Sequence, residues 1–257
     1  MSSLKGKIVF ITGASSGIGK ASAAKFAAER ANLILTARRL NRISILAADL
    51  SKKYKIKILP IKLDIRIEEN VNETIRSLPA EWKKIDILLN NAGLARGLDK
   101  IYEGKSSDWE EMIDTNVKGL LFVSRAILPT MVKRKRGHII NIGSTAGHEV
   151  YAKGNVYSAT KFAVKALTQS TRLDVLDKNI KVSSVDPGMV KTEFSDIRFH
   201  GDKKRGAKVY ENVKPLTAED VADAILFCAT RPSHVNINEI ILTPINQASS
   251  TQIFRDV

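Results

Sequence analysis

The sequence predicts an α/β fold, a doubly wound parallel sheet of about seven strands with helices on both faces. Three observations predict it. Short β-branched runs alternate with longer helical patterns along nearly the whole chain. Those runs are almost continuously apolar, as strands covered on both faces must be, and do not alternate apolar with polar. The first of them passes directly into a glycine-rich turn and then a helix, the junction with which such sheets commonly open.

In chain order, residues 8–12, 33–37, 56–63, 85–89, 138–142, 180–185 and 239–242 read as strands. Helical apolar spacing fills most of the intervals, for example 21–30, 41–53, 108–131 and 221–230. No Pro/Gly/Ser-rich linker, low-complexity tract or internal repeat interrupts the series. A chain of 257 residues can bury one large α/β core. One domain spanning 1–257 is expected, with a long loop at about 189–216 near the ligand edge of the sheet.

Hydrophobic content of 44% and charged content of 26% are ordinary for a globular protein. The net charge of +14 is not, and it favours anionic ligands. One cysteine, Cys228, excludes an internal disulfide and a cysteine metal cluster, and it falls on an apolar helix face as a core residue would. His138, His148, His200 and His234 lack metal-ligand spacing. The N-terminal apolar run is too short for a secretion signal, and no segment approaches a membrane span. These features read as a cytoplasmic protein with no membrane partner.

The first turn reads Thr12-Gly13-Ala14-Ser15-Ser16-Gly17-Ile18-Gly19. Glycines there allow a tight turn and close approach of backbone to a pyrophosphate at a helix N-terminus. Strand two then ends in Thr36-Ala37-Arg38-Arg39, with no acidic residue for a free ribose hydroxyl. Two guanidiniums suit a 2′-phosphate, so NADP is the expected cofactor, with Ser15 and Ser16 adding hydroxyl contacts. Asp64 and Ile65 follow strand three, with Asp64 placed to accept from an adenine amino group. Asn91, Ala92 and Gly93 follow strand four, and Pro187, Gly188, Val190 and Thr192 follow strand six. All of these would line the carboxyl edge where such sheets bind ligands.

Tyr157 and Lys161 stand four residues apart and so share a helix face. An ammonium one turn from the phenol is expected to lower the tyrosine pKa and make it a usable acid/base near neutrality. Ser144 ends an apolar run upstream, and Asn116 lies in Asp114-Thr115-Asn116-Val117.

Assembled in this order, the motifs resemble those of the short-chain dehydrogenase/reductase family in its single-domain Rossmann-type form, over residues 6–247. The resemblance implies that Tyr157 exchanges a proton with the substrate oxygen and that Ser144 positions that oxygen. It implies that Lys161 holds the nicotinamide ribose and lowers the tyrosine pKa, and that Asn116 anchors a relay water. A closer resemblance, through residues 192–201, 234–238 and 243–247, is to the NADP-dependent 3-hydroxy acid dehydrogenases, which act on serine, L-allo-threonine, small 3-hydroxy acids and malonic semialdehyde. Such substrates carry a carboxylate, for which Arg198 and Arg96 are the candidate cations. The family also implies a homodimer or homotetramer built on helices 108–131 and 157–176.

Two other readings stand beside this one: a reductase of bulkier ketones or carrier-bound 3-oxoacyl groups, and a non-catalytic NADP sensor or nucleic-acid-binding regulator. Against nucleic acid, Lys133-Arg134-Lys135-Arg136 sits at a helix C-terminus, where cations favour the dipole. Trp82 and Trp109 form no stacking platform.

Overall fold

A computed structural model describes residues 3–255; residues 1–2 and 256–257 of the expected domain lie outside them. Seven parallel strands form one sheet: β1 (Ile8–Thr12), β2 (Asn32–Ala37), β3 (Ile58–Lys62), β4 (Ile87–Asn90), β5 (Gly137–Ile142), β6 (Ile180–Pro187) and β7 (Glu239–Leu242). Their order is β3-β2-β1-β4-β5-β6-β7. The winding reverses between β1 and β4, and at such a switch point the flanking crossovers part above the carboxyl ends and leave a crevice.

Successive residues of each strand serve opposite faces. Val9 and Ile11 of β1 join Leu33, Leu35, Ile140 and Val185 in one core, beneath α1 (Gly17–Ala28), α2 (Leu40–Tyr54) and α9 (Ala218–Ala229). Ile8 and Phe10 join Ile34, Leu88, Ile139 and Val182 in the other, beneath α3 (Glu68–Ser77) and α5 (Leu120–Arg134). Helix α2 shows how sequence fixes such a face: Ile43, Ala47 and Leu50 recur at helical spacing and are buried, and the helix ends where Lys55 turns left-handed. Cys228 lies in the first core, as its apolar setting predicts.

Three segments differ from their predicted form. The third strand is shorter than 56–63, because Ile56 and Leu63 pack into the core from outside the ladder. The first helix begins at Gly17 and not at 21, so the glycine turn itself makes its first turn. Residues 108–131 are three pieces: α4 (Ser106–Ile113), a π-helical turn Asp114–Gly119, and α5. A π turn holds one residue more than an α turn, and here it carries Asn116 into the interior.

The long loop is tied at both ends. Val190 bridges Leu216, with Lys191 donating to the Leu216 carbonyl at 2.8 Å and Leu216 to Met189 at 2.9 Å. Between these ties lie two short helices, α7 (Phe194–Arg198) and α8 (Lys203–Lys208). Among the described residues, no helix is long and apolar enough to cross a membrane.

Candidate active site

The crevice above β1 and β4 is a cleft of about 790 Å³. Its floor is set by close packing. A Cβ on Gly19 would lie 2.5 Å from both the Asn91 Nδ2 and the Gly13 carbonyl, so only glycine lets α1 begin this near β4. The Asn91 amide donates to the Thr12 and Gly13 carbonyls at 2.8 and 3.2 Å, and the Thr12 hydroxyl accepts from the backbone of Asn91 and Ala92. These bonds join the first and fourth strand ends across the switch point.

At one end the cleft is cationic. Arg39 donates to the Ser15 hydroxyl at 3.0 and 3.2 Å and to the Ser16 hydroxyl at 2.9 Å. Its other Nη meets Glu193 of the long loop at 2.9 Å, and Arg42 meets the same carboxylate at 2.6 Å. Burial pushes the Glu193 carboxyl up, but its bonds from Arg39 and Arg42 outweigh that and leave the pKa lowered. Arg38 lies 3.6 Å from Glu111. The bond from Arg66 holds the Asp64 carboxyl below the usual range, so Asp64 already has a partner at 2.6 Å.

At the other end the polar groups are buried. Ser144 follows β5 and its hydroxyl accepts from the Ala146 amide at 3.1 Å. Tyr157 and Lys161 lie on α6 (Asn155–Asp174). Lys161 Nζ donates to the Ile142 carbonyl at 2.8 Å and sits 5.9 Å from the centroid of the Tyr157 ring. Both amide hydrogens of Asn116 are spent, on the Leu94 carbonyl at 2.8 Å and the Thr160 hydroxyl at 3.0 Å. A Cβ on Gly93 would lie 3.3 Å from Asn116 Oδ1 and 3.8 Å from Lys161 Nζ, so these two side chains flank one glycine.

One expectation is corrected. Lys161 does not lower the Tyr157 pKa here; burial raises it, opposed by the Arg198 charge and a hydrogen bond with Ser144. The lysine reaches past the ring to the strand end, and burial pushes its own pKa down to about 8.

The cleft brings together Gly13, Ser15, Ser16, Gly17, Ile18, Arg38, Arg39, Asp64, Ile65, Asn91, Ala92 and Gly93 with Arg96, Ser144, Tyr157, Lys161, Pro187, Gly188, Val190 and Thr192. Gly19 and Asn116 lie beneath it as packing. Arg198 stands behind it, its guanidinium 5.0 Å from the centroid of Tyr157 and 5.5 Å from that of Phe194, with one Nη on the Tyr151 hydroxyl at 2.5 Å. Arg96 is committed to holding the loop, donating to Glu111 at 2.6 Å and to the Ile197 carbonyl at 2.5 Å.

A protein-family model described as short chain dehydrogenase matches residues 7–202. The chain belongs to the short-chain dehydrogenase family. It is accordingly an oxidoreductase. It is 44% identical to the NADP-dependent 3-hydroxy acid dehydrogenase of Schizosaccharomyces pombe, over 99% of each chain. It is 45% identical to the protein of that name from Escherichia coli K12, over 94% of this chain and 96% of the relative. A solved serine dehydrogenase, in its closed form with NADP+, superposes with a TM-score of 0.91 at 43% identity, over 97% of this chain and all of that one.

Sequence reasoning missed Arg42, Glu193, Tyr151 and the buried Asp186. Arg42 could have been found, since it stands three residues after Arg39 on a helix and so beside it. Glu193 and Tyr151 could not, because their partners lie 154 and 47 residues away.

Proposed function

We propose that the chain is a dehydrogenase of small 3-hydroxy acids, namely L-serine, L-allo-threonine and 3-hydroxypropionate, with malonic semialdehyde as the carbonyl substrate in reverse. The coarser part is firm: the chain is an NADP-dependent oxidoreductase.

The residues present fit the cofactor. The glycine turn at the start of α1 leaves a cradle that a Cβ would fill, and Ser15, Ser16, Arg38 and Arg39 gather where a 2′-phosphate needs donors. Arg42 joins them through Glu193. Bound NADP supplies or accepts the hydride. Everything else falls to the chain's own side chains.

Tyr157 would take the hydroxyl proton at its phenol oxygen during oxidation and return it during reduction. Ser144, which lines the cleft with Tyr157, would hold the substrate oxygen beside that phenol. Lys161, fixed by the Ile142 carbonyl, would meet the nicotinamide ribose. Asn116 would keep the Leu94 backbone and Thr160 in place under Lys161.

The observation that carries the substrate class is Arg198. Its Nε is buried and has no hydrogen-bond partner, while its guanidinium lies against the Tyr157 ring. An unpartnered buried donor on a permanent cation is costly until an anion meets it. A carboxylate attached near the reacting carbon would meet it once the guanidinium turns from behind the Tyr157 ring into the cleft.

Two further expectations join the proposal. Leu121, Phe162, Leu173 and Leu176 are exposed apolar side chains on or just beyond α5 and α6, which supports the homodimer or homotetramer; light scattering would give the number. The cytoplasm is the proposed compartment, for which cell fractionation is the test.

Initial rates of the purified protein test the substrate class, with NADP and NAD against the three acids and malonic semialdehyde in reverse. Turnover of these with NADP is expected. Turnover confined to bulky ketones or carrier-bound acyl groups would overturn the substrate class and leave the cleft chemistry standing.

A further inference from the structure

Behind the catalytic side chains lies a charge that the mechanism above does not use. Asp186, near the end of β6, is 1% exposed. Its Oδ1 takes a short bond from the Ser184 hydroxyl, and its Oδ2 lies 2.5 Å from His148 Nε2. The other nitrogen of that ring, Nδ1, lies 2.8 Å from Lys165 Nζ. An ammonium only donates, so Nδ1 accepts and the ring proton sits on Nε2, pointing at Asp186. Glu239 of β7 is 3.6 Å from the same Nε2.

Ser184 and His148 thus both donate to the buried Asp186 side chain. Lys165 stands at the outer end of this line and Ser184 at the inner end. The three carboxylate and imidazole groups have ligand atoms within 4.8 Å of one another. A divalent cation there would have to displace the Nε2 proton with the Lys165 ammonium across the ring, so the cluster is better accounted for as a hydrogen-bonded line.

The line ends against the active site. A Cβ on Gly143 would lie 2.1 Å from Asp186 Oδ1, so the carboxylate presses directly on the backbone between Ile142 and Ser144. Ile142 supplies the carbonyl that holds Lys161 Nζ, and Ser144 is the next residue after Gly143. One three-residue segment thus carries the lysine tether on one side and rests on the carboxylate on the other.

We propose that Asp186, held by His148 and Lys165, is a positioning residue that fixes the Ile142–Ser144 segment and supplies the negative charge balancing Lys161. Two influences set the Lys161 pKa of about 8: burial pushes it down, and the Asp186 carboxylate pulls it up. The groups around this pair are Tyr157 of the lysine's own helix, His148 and Lys165, and Glu239 on β7. Removing the carboxylate should let Lys161 lose its proton at lower pH.

The proposal rests on Lys161 acting as the functional reading assigns it, so the test has one readout that needs no turnover. Full-length wild type, Asp186→Asn and His148→Gln are labelled with 13Cε-lysine. The Lys161 signal is assigned by its loss in Lys161→Met and followed against pH. In Asp186→Asn its midpoint is expected to fall by about one pH unit, the shift ascribed to a nearby opposite charge. The basic limb of kcat should move the same way, with kcat at pH 8.5 falling about tenfold, one unit's worth of protonation. KM for NADP should stay within about threefold. His148→Gln, which removes no charge, should shift the midpoint in the same direction by less, and it decides the matter if Asp186→Asn does not fold. Folded variants whose midpoint and basic limb match wild type would overturn the proposal. If wild type turns over none of the acids, the functional reading has failed, and the lysine titration still judges the network.

Discussion

Along the carboxyl edge of one sheet, the half above β1 and β2 and the half above β5 and α6 hold charge in opposite ways. Around Arg38, Arg39 and Arg42 the cations are 39–51% exposed and paired with Glu193 and Glu111. Around Tyr157 the charges are few and fixed in place: Lys161 buried on a carbonyl, Arg198 half-buried on aromatic rings and the Tyr151 hydroxyl, Asp186 buried on an imidazole and the Ser184 hydroxyl. The difference follows from what each half meets. A phosphate brings its own charge and water, and exposed arginines can exchange a glutamate for it at small cost. A proton transfer needs pKa values moved from their solution range, and only burial with fixed partners moves them far.

The comparison predicts large losses in the buried half and modest ones in the exposed half. Tyr157→Phe should lower kcat at least about a thousandfold, within the usual range for removing a general acid/base. NADPH binding, followed by its fluorescence, should stay near wild type. Surviving turnover would break the assignment of Tyr157.

Arg198→Met should raise KM for a 3-hydroxy acid about a hundredfold, the scale of losing one partner of a buried charge pair. Turnover of a neutral short-chain alcohol or ketone should change far less. Equal losses on charged and neutral substrates would show that Arg198 packs the loop and reads no carboxylate.

Lys161→Met sharpens the contrast through stability. The folded pKa of Lys161, about 8, lies below its unfolded value of 10.5. The unfolded chain therefore holds the proton more tightly between those limits, so this lysine costs stability in full below pH 8 and ceases to do so as pH rises to 10.5. Replacing it should abolish turnover yet stabilise the fold at pH 7 by about 3 kcal/mol, less whatever the lost bond to Ile142 contributes. The gain should disappear in denaturant titrations above pH 10.

Arg39→Met should reduce preference for NADP over NAD by about tenfold to thirtyfold, as expected for losing charge-assisted bonds to a phosphate. Its effect on kcat should be slight. Glu193→Gln is the smallest case. Removing the carboxylate that now engages Arg39 and Arg42 should tighten NADP binding about twofold to fivefold, the range of an exposed ion pair. A weakening would mean that Glu193 serves the bound cofactor and does not compete with it.

Local rules made much of this legible in the sequence. Strand and helix periods, the glycine turn, the missing acid after β2 and the Tyr157–Lys161 spacing are all short-range patterns. Each reflects a period of 2 or 3.6 or a turn that glycine alone permits. They placed every strand within a few residues and named somewhat over half of the residues that line the cleft. Where they failed, a distant partner decided. The π turn at Asp114–Gly119 is set by Asn116 bonding to Leu94, 22 residues away. The tasks of Arg96 and Glu193 are set by the loop between 189 and 216 meeting β-strand ends far along the chain.

The sequence by itself therefore determined the fold, the cofactor edge and the residue types available for chemistry. Only the tertiary structure decided which charges are buried, what each guanidinium and carboxylate faces, and in which direction the pKa values of Tyr157 and Lys161 move. Periodicity and turn chemistry act between near neighbours, whereas desolvation and Coulomb interaction depend on distances through space that chain order does not encode.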